Sequence, residues 1–398
     1  MIEKFQMKRL MIIMLVVMSG LPMAAQLNGS GYYRIRNVAY DKHYIAFAND
    51  LFNYTTVISS ACGGLSQAYS SAGQARAMAC AGIYLKTDIH LVEDAACVNP
   101  ATVIYLKRNG NTAQYDLIGQ STSLIELTTG EYPGTFKLKF ENVFATLMRK
   151  VNDGANSQYT ASVQLKASNN SLADLGTRYF VDDNGFGVSA SNSETNAKWY
   201  LEQVTSFNVD SASMVGYKGK YFCTMYTPFA YKLSGQTLKA WVITHIKADG
   251  TLTKEEIATT GGTVPAGTPV ILECGSNEAG ACTLVPQGEP LIDETSAYTG
   301  TNLLKGAYFC NTDGNLTYNK PSGTGTIAAN NYTSYNSSSM LVLGVAESPA
   351  GINRLGFFPF TGNKMKSNKV WLDISGSSAN ANYTFDTDEP NQKGVTNE

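Results

Sequence analysis

Few side chains in this sequence are of types and spacings that could do chemistry. Adjacent carboxylates occur at Asp182-Asp183 and Glu255-Glu256, with Glu131 apart from both. A fold that places two acids correctly needs nothing more for glycoside hydrolysis: one protonates the leaving oxygen, the other attacks or activates water. Asp182-Asp183 leads directly into Asn184-Gly185 and reads more simply as turn chemistry or a weak calcium site. Glu255-Glu256, after Asp249-Gly-Thr-Leu-Thr-Lys254, reads as a solvated connection. The three histidines, His43, His90 and His245, have no second His or Cys at ligand spacing, which argues against zinc and against a His-based nucleophile system. His245, within Trp241-Val-Ile-Thr-His-Ile246, is expected to point outward from a strand. Gly-x-Ser-x-Gly elbows, phosphate-binding glycine loops and Cys residues with a neighbouring His do not occur. No catalytic residue, metal or cofactor is expected.

Aromatic rings among polar neighbours offer a second kind of chemistry. A flat ring gives apolar area to a sugar face, while adjacent Asn, Asp and Arg supply hydrogen bonds. Tyr32, Tyr40, Tyr44 and Tyr335 are the candidates for such a ligand-binding surface. Tyr also suits half-buried strand positions, which is the alternative at each of them. Trp199, Trp241 and Trp371 lie within apolar strands and are expected in the core.

What positions these groups is constrained by composition. The chain of 398 residues is longer than one ordinary core serves, which predicts two units of roughly 170 to 180 residues. Charged residues make up 16% and the net charge is −2, so no electrostatic field exists to hold nucleic acid. The 23 Tyr and 36 Gly fit the aromatic, turn-rich make-up of exported β proteins. Lys8-Arg9, the apolar run Leu10 to Met18, Ser19-Gly20, Pro22 and Ala24-Ala25 have the order of a cleavable export signal spanning 1–25. A retained anchor is the alternative, but the run is short of the ~20 residues a spanning helix needs, and no later run is long enough. Export with seven cysteines leaves at least one outside an internal pair. Cys274 and Cys282 are the candidate disulfide, because Val270-Ile-Leu-Glu-Cys274 and Ala281-Cys-Thr-Leu-Val285 read as strands joined by Gly275–Gly280 with the cysteines facing. The alternative makes all seven small buried hydrophobes.

Along the chain, strand patterns recur: Gly31–Val38, Tyr44–Phe47, Gly82–Lys86, Thr102–Lys107, Gln114–Ile118, Ala161–Lys166, Arg178–Val181 and Lys198–Val204. Asn109-Gly110 predicts a hairpin between two of these. Residues 50–82 show no period and read as a loop-rich insertion. Val143, Phe144, Leu147, Met148 and Val151 behind Asn142 have helical spacing, predicting one short helix. Ser206–Ser213 reads as a polar boundary. Short strands follow from Tyr221 to Leu372, with Val264-Pro-Ala-Gly-Thr-Pro-Val-Ile-Leu272 as a turn feeding a buried strand, and strands at this spacing predict a sandwich or jelly roll. Residues 379–398 are acidic and polar, a disordered tail.

Two resemblances add to this reading. Gly31-Tyr-Tyr-Arg-Ile-Arg-Asn-Val38 and Ala197-Lys-Trp-Tyr-Leu-Glu-Gln-Val204 resemble the first and last strands of ricin-like β-trefoil modules, over residues 28–206. Sugar-binding members of that family carry Gln two residues before the closing Trp; here Ala197 precedes Trp199, so their sugar site does not carry over. Thr227-Pro-Phe229, Val264–Leu272, Leu304-Lys-Gly306, Val342-Leu-Gly344, Leu355-Gly-Phe-Phe-Pro-Phe360 and Asn368-Lys-Val-Trp-Leu372 resemble an uncharacterised β-sandwich module of secreted and surface proteins of Gram-negative gut anaerobes, here spanning 214–378. That resemblance implies attachment, spacing or binding in place of catalysis. The expectation is an all-β protein, a β-trefoil-like unit followed by a β-sandwich or jelly roll with at most short helices. It is exported across the inner membrane to the cell surface or medium and acts as a binding or adhesion component for a glycan or a host or surface protein. A glycan-processing enzyme using paired carboxylates is the alternative, and a structural surface subunit a third.

Overall fold

A computed structural model describes residues 27, 29–47, 83–87, 89–110, 114–119, 125–129, 137–139, 145–150, 157–165, 176–182, 186–189, 191–278, 280–291, 296–307, 311–312, 316–320, 323–327, 339–347, 353–360, 364–365, 368–375 and 383–385. All regular structure among them is strand or single-turn 3-10 helix, so the protein is all-β as its alternating patterns require. The first strands are β1 (Gly31–Asn37), β2 (His43–Phe47), β3 (Ile83–Thr87), β4 (Ile89–Glu93), β5 (Ile104–Arg108) and β6 (Gln114–Ile118). They are followed by β7 (Ile125–Thr129), β8 (Lys137–Lys139), β9 (Ala145–Lys150), β10 (Gln158–Leu165), β11 (Gly176–Asp182), β12 (Phe186–Ser189) and β13 (Trp199–Gln203).

Six of these strands close on themselves. β1 pairs β5, β5 pairs β6, β6 pairs β9, β9 pairs β10, β10 pairs β13, and β13 returns to β1, every pair antiparallel. Closure removes the exposed edges that an open sheet would present. Outside the ring, β2 pairs β4, β11 pairs β12, and β7 pairs both β3 and β8. Ile35, Ile104, Leu106, Leu117, Ala161, Trp199 and Leu201 from ring strands are buried. Trp199 is fully enclosed and donates its indole N–H to the carbonyl of Phe180 at 3.2 Å, which satisfies its one polar atom.

The remaining strands begin with β14 (Phe207–Asn208), β15 (Val215–Tyr217), β16 (Lys220–Met225), β17 (Ala230–Leu233), β18 (Lys239–Ile246) and β19 (Thr251–Thr259). Next are β20 (Thr263–Val264), β21 (Val270–Cys274), β22 (Thr283–Gln287), β23 (Leu304–Ala307), β24 (Asn311–Thr312), β25 (Leu316–Lys320) and β26 (Gly323–Ile327). The last are β27 (Met340–Glu347), β28 (Asn353–Pro359), β29 (Lys364–Met365), β30 (Lys369–Asp373) and β31 (Tyr383–Phe385). Ten of them form one sheet in the order β15-β16-β21-β18-β19-β31-β28-β27-β30-β23, and a second sheet runs β14-β22-β17-β20.

Strands β16, β18 and β21 are apolar on both faces because both faces are covered. Cys223, Ala240, Val242, Val270 and Leu272 point into one cluster with Phe229, just before β17, and with Leu233 and Leu284 of the smaller sheet. Phe222, Trp241, Ile243 and Ile271 point the other way, into a cluster with Phe357, Leu372, Tyr383 and Phe385. The Val264–Leu272 turn delivers β21 between these layers; Gly267 there takes φ +64°, a left-handed conformation that glycine adopts without strain, and its N–H donates to the Thr227 carbonyl at 2.9 Å.

Three expectations are corrected. The short helix behind Asn142 is strand β9, because its backbone is held on both sides by ladders to β6 and β10, and non-local pairing overrides helical spacing. Residues 206–213 do more than connect: Phe207 and Val209 are buried in the first cluster and β14 pairs β22. Cys274 and Cys282 are bonded, with Cα atoms 6.1 Å apart, but not across a hairpin. β21 pairs β16 and β18 whereas β22 pairs β14 and β17, so the disulfide ties one sheet to the other through the core. Replacing both cysteines by alanine is expected to lower the unfolding free energy by about 2.5 kcal/mol through loop entropy. Urea unfolding of the double variant checks it, and an unchanged midpoint would refute a stabilising bridge. The disordered tail expected over 379–398 is corrected as well, because its residues Tyr383–Phe385 form β31, which pairs β19 and β28 and buries Tyr383 and Phe385. The rest of that tail, the 50–82 insertion and the signal stretch 1–25 lie outside the described residues.

Candidate functional site

The described part of the chain forms a cleft of about 310 Å³ where residues following β4 meet residues before β16 and at the start of β30. Each wall is set by a local hydrogen-bonding device. On one side Asp94, buried, accepts from the backbone N–H groups of Val98 at 2.9 Å and Asn99 at 3.1 Å and from the Thr102 hydroxyl at 3.1 Å. The Asn99 side chain in turn accepts from Ala101 N–H and caps the 3-10 turn Pro100–Thr102. Behind Asp94 lies Arg34, 5% exposed, whose Nε donates to Thr102 Oγ1 at 2.9 Å and whose Nη2 donates to the Cys97 carbonyl at 2.6 Å. On the opposite side Asp210 caps the 3-10 turn Ser211–Ser213 by accepting from Ala212 N–H at 3.0 Å. The third wall is Thr224 and Met225 of β16 with Asn368 and Lys369. Asn368 sits at φ +59°, and its amide donates to the Tyr226 carbonyl at 2.8 Å, which holds the strand start in place.

The groups presented to the cleft are carboxylates (Glu93, Asp210), an ammonium (Lys369) and hydroxyls (Ser213, Thr224), set beside the short apolar patches Val98, Val209 and Met225. Such a mixture offers both acceptors and donors to a neutral polar ligand without a dominant charge.

Glu93 connects the cleft to a second group of side chains. His43 Nε2 lies 3.8 Å from Glu93, and His43 Nδ1 lies 2.6 Å from the Asp182 carboxylate, whose side chain is fully enclosed. Asn196 donates its amide to the backbone carbonyl of Asp182 at 3.0 Å, anchoring the end of β11 to the 3-10 turn Thr195–Ala197. The Tyr40 ring stacks on the imidazole, centroids 5.1 Å apart and planes 23° from parallel. Tyr40 is 44% exposed, the one large hydrophobic residue so exposed among the described residues. A buried carboxylate on Nδ1 orients the ring and leaves Nε2 facing outward, an arrangement able to take part in hydrogen bonding or proton transfer.

The sequence-derived candidates are therefore distributed unevenly. Tyr40 is exposed beside the cleft. Tyr32 is not on a free surface: it is 7% exposed, its ring meets Phe229 edge-on at 5.3 Å, and its hydroxyl donates to the Gly288 carbonyl at 2.8 Å. The outer face of β1 is covered at this point by residues from the second half of the chain, which sequence alternation alone does not reveal. Tyr44 is 4% exposed; its hydroxyl donates to Glu202 at 3.2 Å and takes a weak hydrogen bond from the Cys97 thiol at 3.5 Å. Burial raises both phenol pKa values above the ordinary tyrosine range. Tyr335, Glu131 and Asp183 lie outside the described residues. Asp182 is a buried partner of His43 and not a turn or calcium ligand, because its carboxylate is already engaged by the imidazole. Glu255 and Glu256 lie within strand β19 and not on a connection, and Glu256 pairs with Lys239 at 2.7 Å. His245 is exposed on β18, and Trp199, Trp241 and Trp371 are all buried. Among the described residues no three His, Cys, Asp or Glu side chains converge on a metal position.

Sequence reasoning missed Asp94, Asp210, Asn368 and Lys369. A signal was present for two of them: Asp94 and Asp210 each precede a short polar segment in which an acid can cap a turn. No protein-family model and no curated protein matches this sequence.

Proposed function

We propose that this chain is an exported, non-catalytic binding protein whose cleft takes a polyhydroxylated ligand, a glycan of the cell surface or its surroundings. The observation that carries the reading is the cleft itself: about 310 Å³, lined by carboxylate, ammonium, amide and hydroxyl groups, and continued through Glu93 and His43 to the exposed ring of Tyr40. Its volume is at the lower end of the ~300–1,000 Å³ range of small-molecule sites, suited to one or two sugar rings. Hydroxyl groups of a sugar would donate to Glu93 and Asp210 and accept from Lys369, while an apolar sugar face would lie on Tyr40.

The architecture supports the same reading. We read the closed ring of six strands, which the chain leaves for the β2/β4, β7/β8 and β11/β12 pairs, as a β-trefoil-like unit, and the larger curled sheet packed on the smaller one as the β-sandwich unit. Both are scaffolds that expose loops for binding. Export follows from the basic, apolar and small-residue order of positions 8–25.

A glycan array run beside a hydrolysis screen tests this. Lys369→Met and Asp210→Asn are expected to weaken binding by about 10- to 100-fold each, the loss of a charge-assisted hydrogen bond; Asn retains an oxygen to cap Ala212. Tyr40→Ala is expected to weaken it by less. Array binding that all three substitutions leave unchanged would refute the cleft. The His43–Asp182 pair favours one second reading, a glycan-processing enzyme, because an oriented imidazole can move a proton. Turnover abolished by Asp182→Asn would establish that reading in place of the first.

A further inference from the structure

His43 and Glu93 are register partners across the β2–β4 ladder. Sequence spacing does not bring out such a pair, because the two side chains become neighbours only when their strands do. The imidazole is held from two directions. Its Nδ1 lies 2.6 Å from the fully enclosed Asp182 carboxylate, and the Tyr40 ring stacks on one face with centroids 5.1 Å apart. A carboxylate accepts and does not donate, so Nδ1 carries the proton and Nε2 is the outward nitrogen. Glu93 Oε1 lies 3.8 Å from Nε2, beyond hydrogen-bonding range. The Glu93 side chain is 75% exposed, and among the described residues His43 is its one ion-pair partner, so no Lys or Arg there offsets its charge. A ring nitrogen and a carboxylate oxygen thus stand side by side, on separate strands, at the edge of the cleft that Glu93 lines.

We propose that His43 Nε2 and the Glu93 carboxylate form a two-ligand site for a divalent transition metal of the zinc class, with the remaining coordination positions open to water or to the oxygens of a bound molecule. An imidazole nitrogen with a carboxylate oxygen is a donor set that suits zinc. Bonds of ~2.0–2.2 Å in a tetrahedral site place neighbouring donor atoms about 3.3 Å apart. The pair therefore closes by about 0.5 Å to reach that spacing, a shift the exposed Glu93 makes by rotating while Asp182 and Tyr40 hold the ring still. An N–H given to a carboxylate is also what metal-binding histidines carry, since it fixes the tautomer and the direction of the other nitrogen. Asp94, next in sequence to Glu93, does not join, because both its oxygens already accept from Val98, Asn99 and Thr102. No third His, Cys, Asp or Glu converges among the described residues, which makes this an open, exchangeable site in place of a closed structural one. The inference stands whether or not the cleft takes a sugar, since Asp210 and Lys369 are no part of it.

The experiment labels the histidines of the full chain with carbon-13 at Cε1 and adds Zn2+ alone at pH 7.5. The protein has three histidines, so the signals are assigned with His43→Gln, His90→Gln and His245→Gln, and the shift of each ring gives its own apparent affinity. His43 is expected to bind Zn2+ at least about tenfold more tightly than His245, which is exposed on β18 and serves as the reference imidazole, the gain of a second ligand and a held ring. Glu93→Gln keeps the size of the side chain but not its charge; it should lower the affinity at His43 about tenfold and leave His245 unchanged. Lys369→Met, expected to weaken sugar binding, should leave Zn2+ binding at His43 as it was, which separates the failure of one reading from the failure of the other. An affinity at His43 no greater than that at His245, or one that Glu93→Gln does not change, overturns the proposal.

Discussion

Replacing Asp94 by alanine is expected to lower the unfolding free energy by about 3–5 kcal/mol, the cost of removing one partner from a buried charge network. The size follows from what is left behind. Arg34 remains 5% exposed, held by Thr102 Oγ1 and the Cys97 carbonyl but without the carboxylate 3.9 Å away that offsets its charge. The N–H groups of Val98 and Asn99 lose their acceptor at the same time. Asp94→Asn keeps an oxygen for one of them and should cost less. An Arg34→Met, Asp94→Leu pair should cost less than Asp94→Ala, because neither charge then remains to be buried. Urea unfolding of the three variants orders them; an Asp94→Ala loss smaller than that of the double variant would contradict the network. The turn from Val98 to Pro100 is also a wall of the cleft, so Asp94→Ala is expected to impair the binding proposed for that cleft even where the protein remains folded.

The second large effect is at Trp199. Truncation to alanine is expected to cost about 3–5 kcal/mol, since it empties the largest fully buried side-chain volume and leaves the Phe180 carbonyl without its indole donor. Trp199 lies on β13, which pairs with β1 through Asn37 and with β10 through Tyr159, so the cavity opens where the last ring strand meets the first. Trp199→Phe retains an aromatic ring but not the hydrogen bond, and is expected to lose less than the alanine variant. Thermal unfolding followed by far-ultraviolet circular dichroism separates the two. Equal losses would show that the hydrogen bond, not the enclosed volume, dominates at this position.

Much of the architecture could be read from local pattern. Val270-Ile-Leu272 reads as a strand and is one, because alternate side chains enter two different cores and each must be apolar. The Cys274 and Cys282 pair could be named because eight residues of separation leave the two cysteines little room to be far apart. The setting of that pair could not. Whether the strands on either side of the loop join one another or separate sheets depends on partners such as β16 and β17, tens of residues away. The same limit explains the helical spacing at Val143–Val151, which is real in the sequence but is overruled by two ladders.

Tyrosine gave the clearest division. Tyr32, Tyr40 and Tyr44 are alike in sequence context, yet one is an internal contact to Phe229, one an exposed ring stacked on His43, and one a buried partner of Glu202. What the chain determined by itself was its class: alternating strands, glycine turns, low charge and a core set of tryptophans, all properties that act over a few residues. What tertiary structure alone decided was the site. His43 meets Asp182 across 139 positions, and Asp210 faces Asp94 and Lys369 only after two halves of the chain have packed together. Such contacts follow from long-range closure of sheets, whose partners are selected by total burial and not by any feature of the residues taken singly.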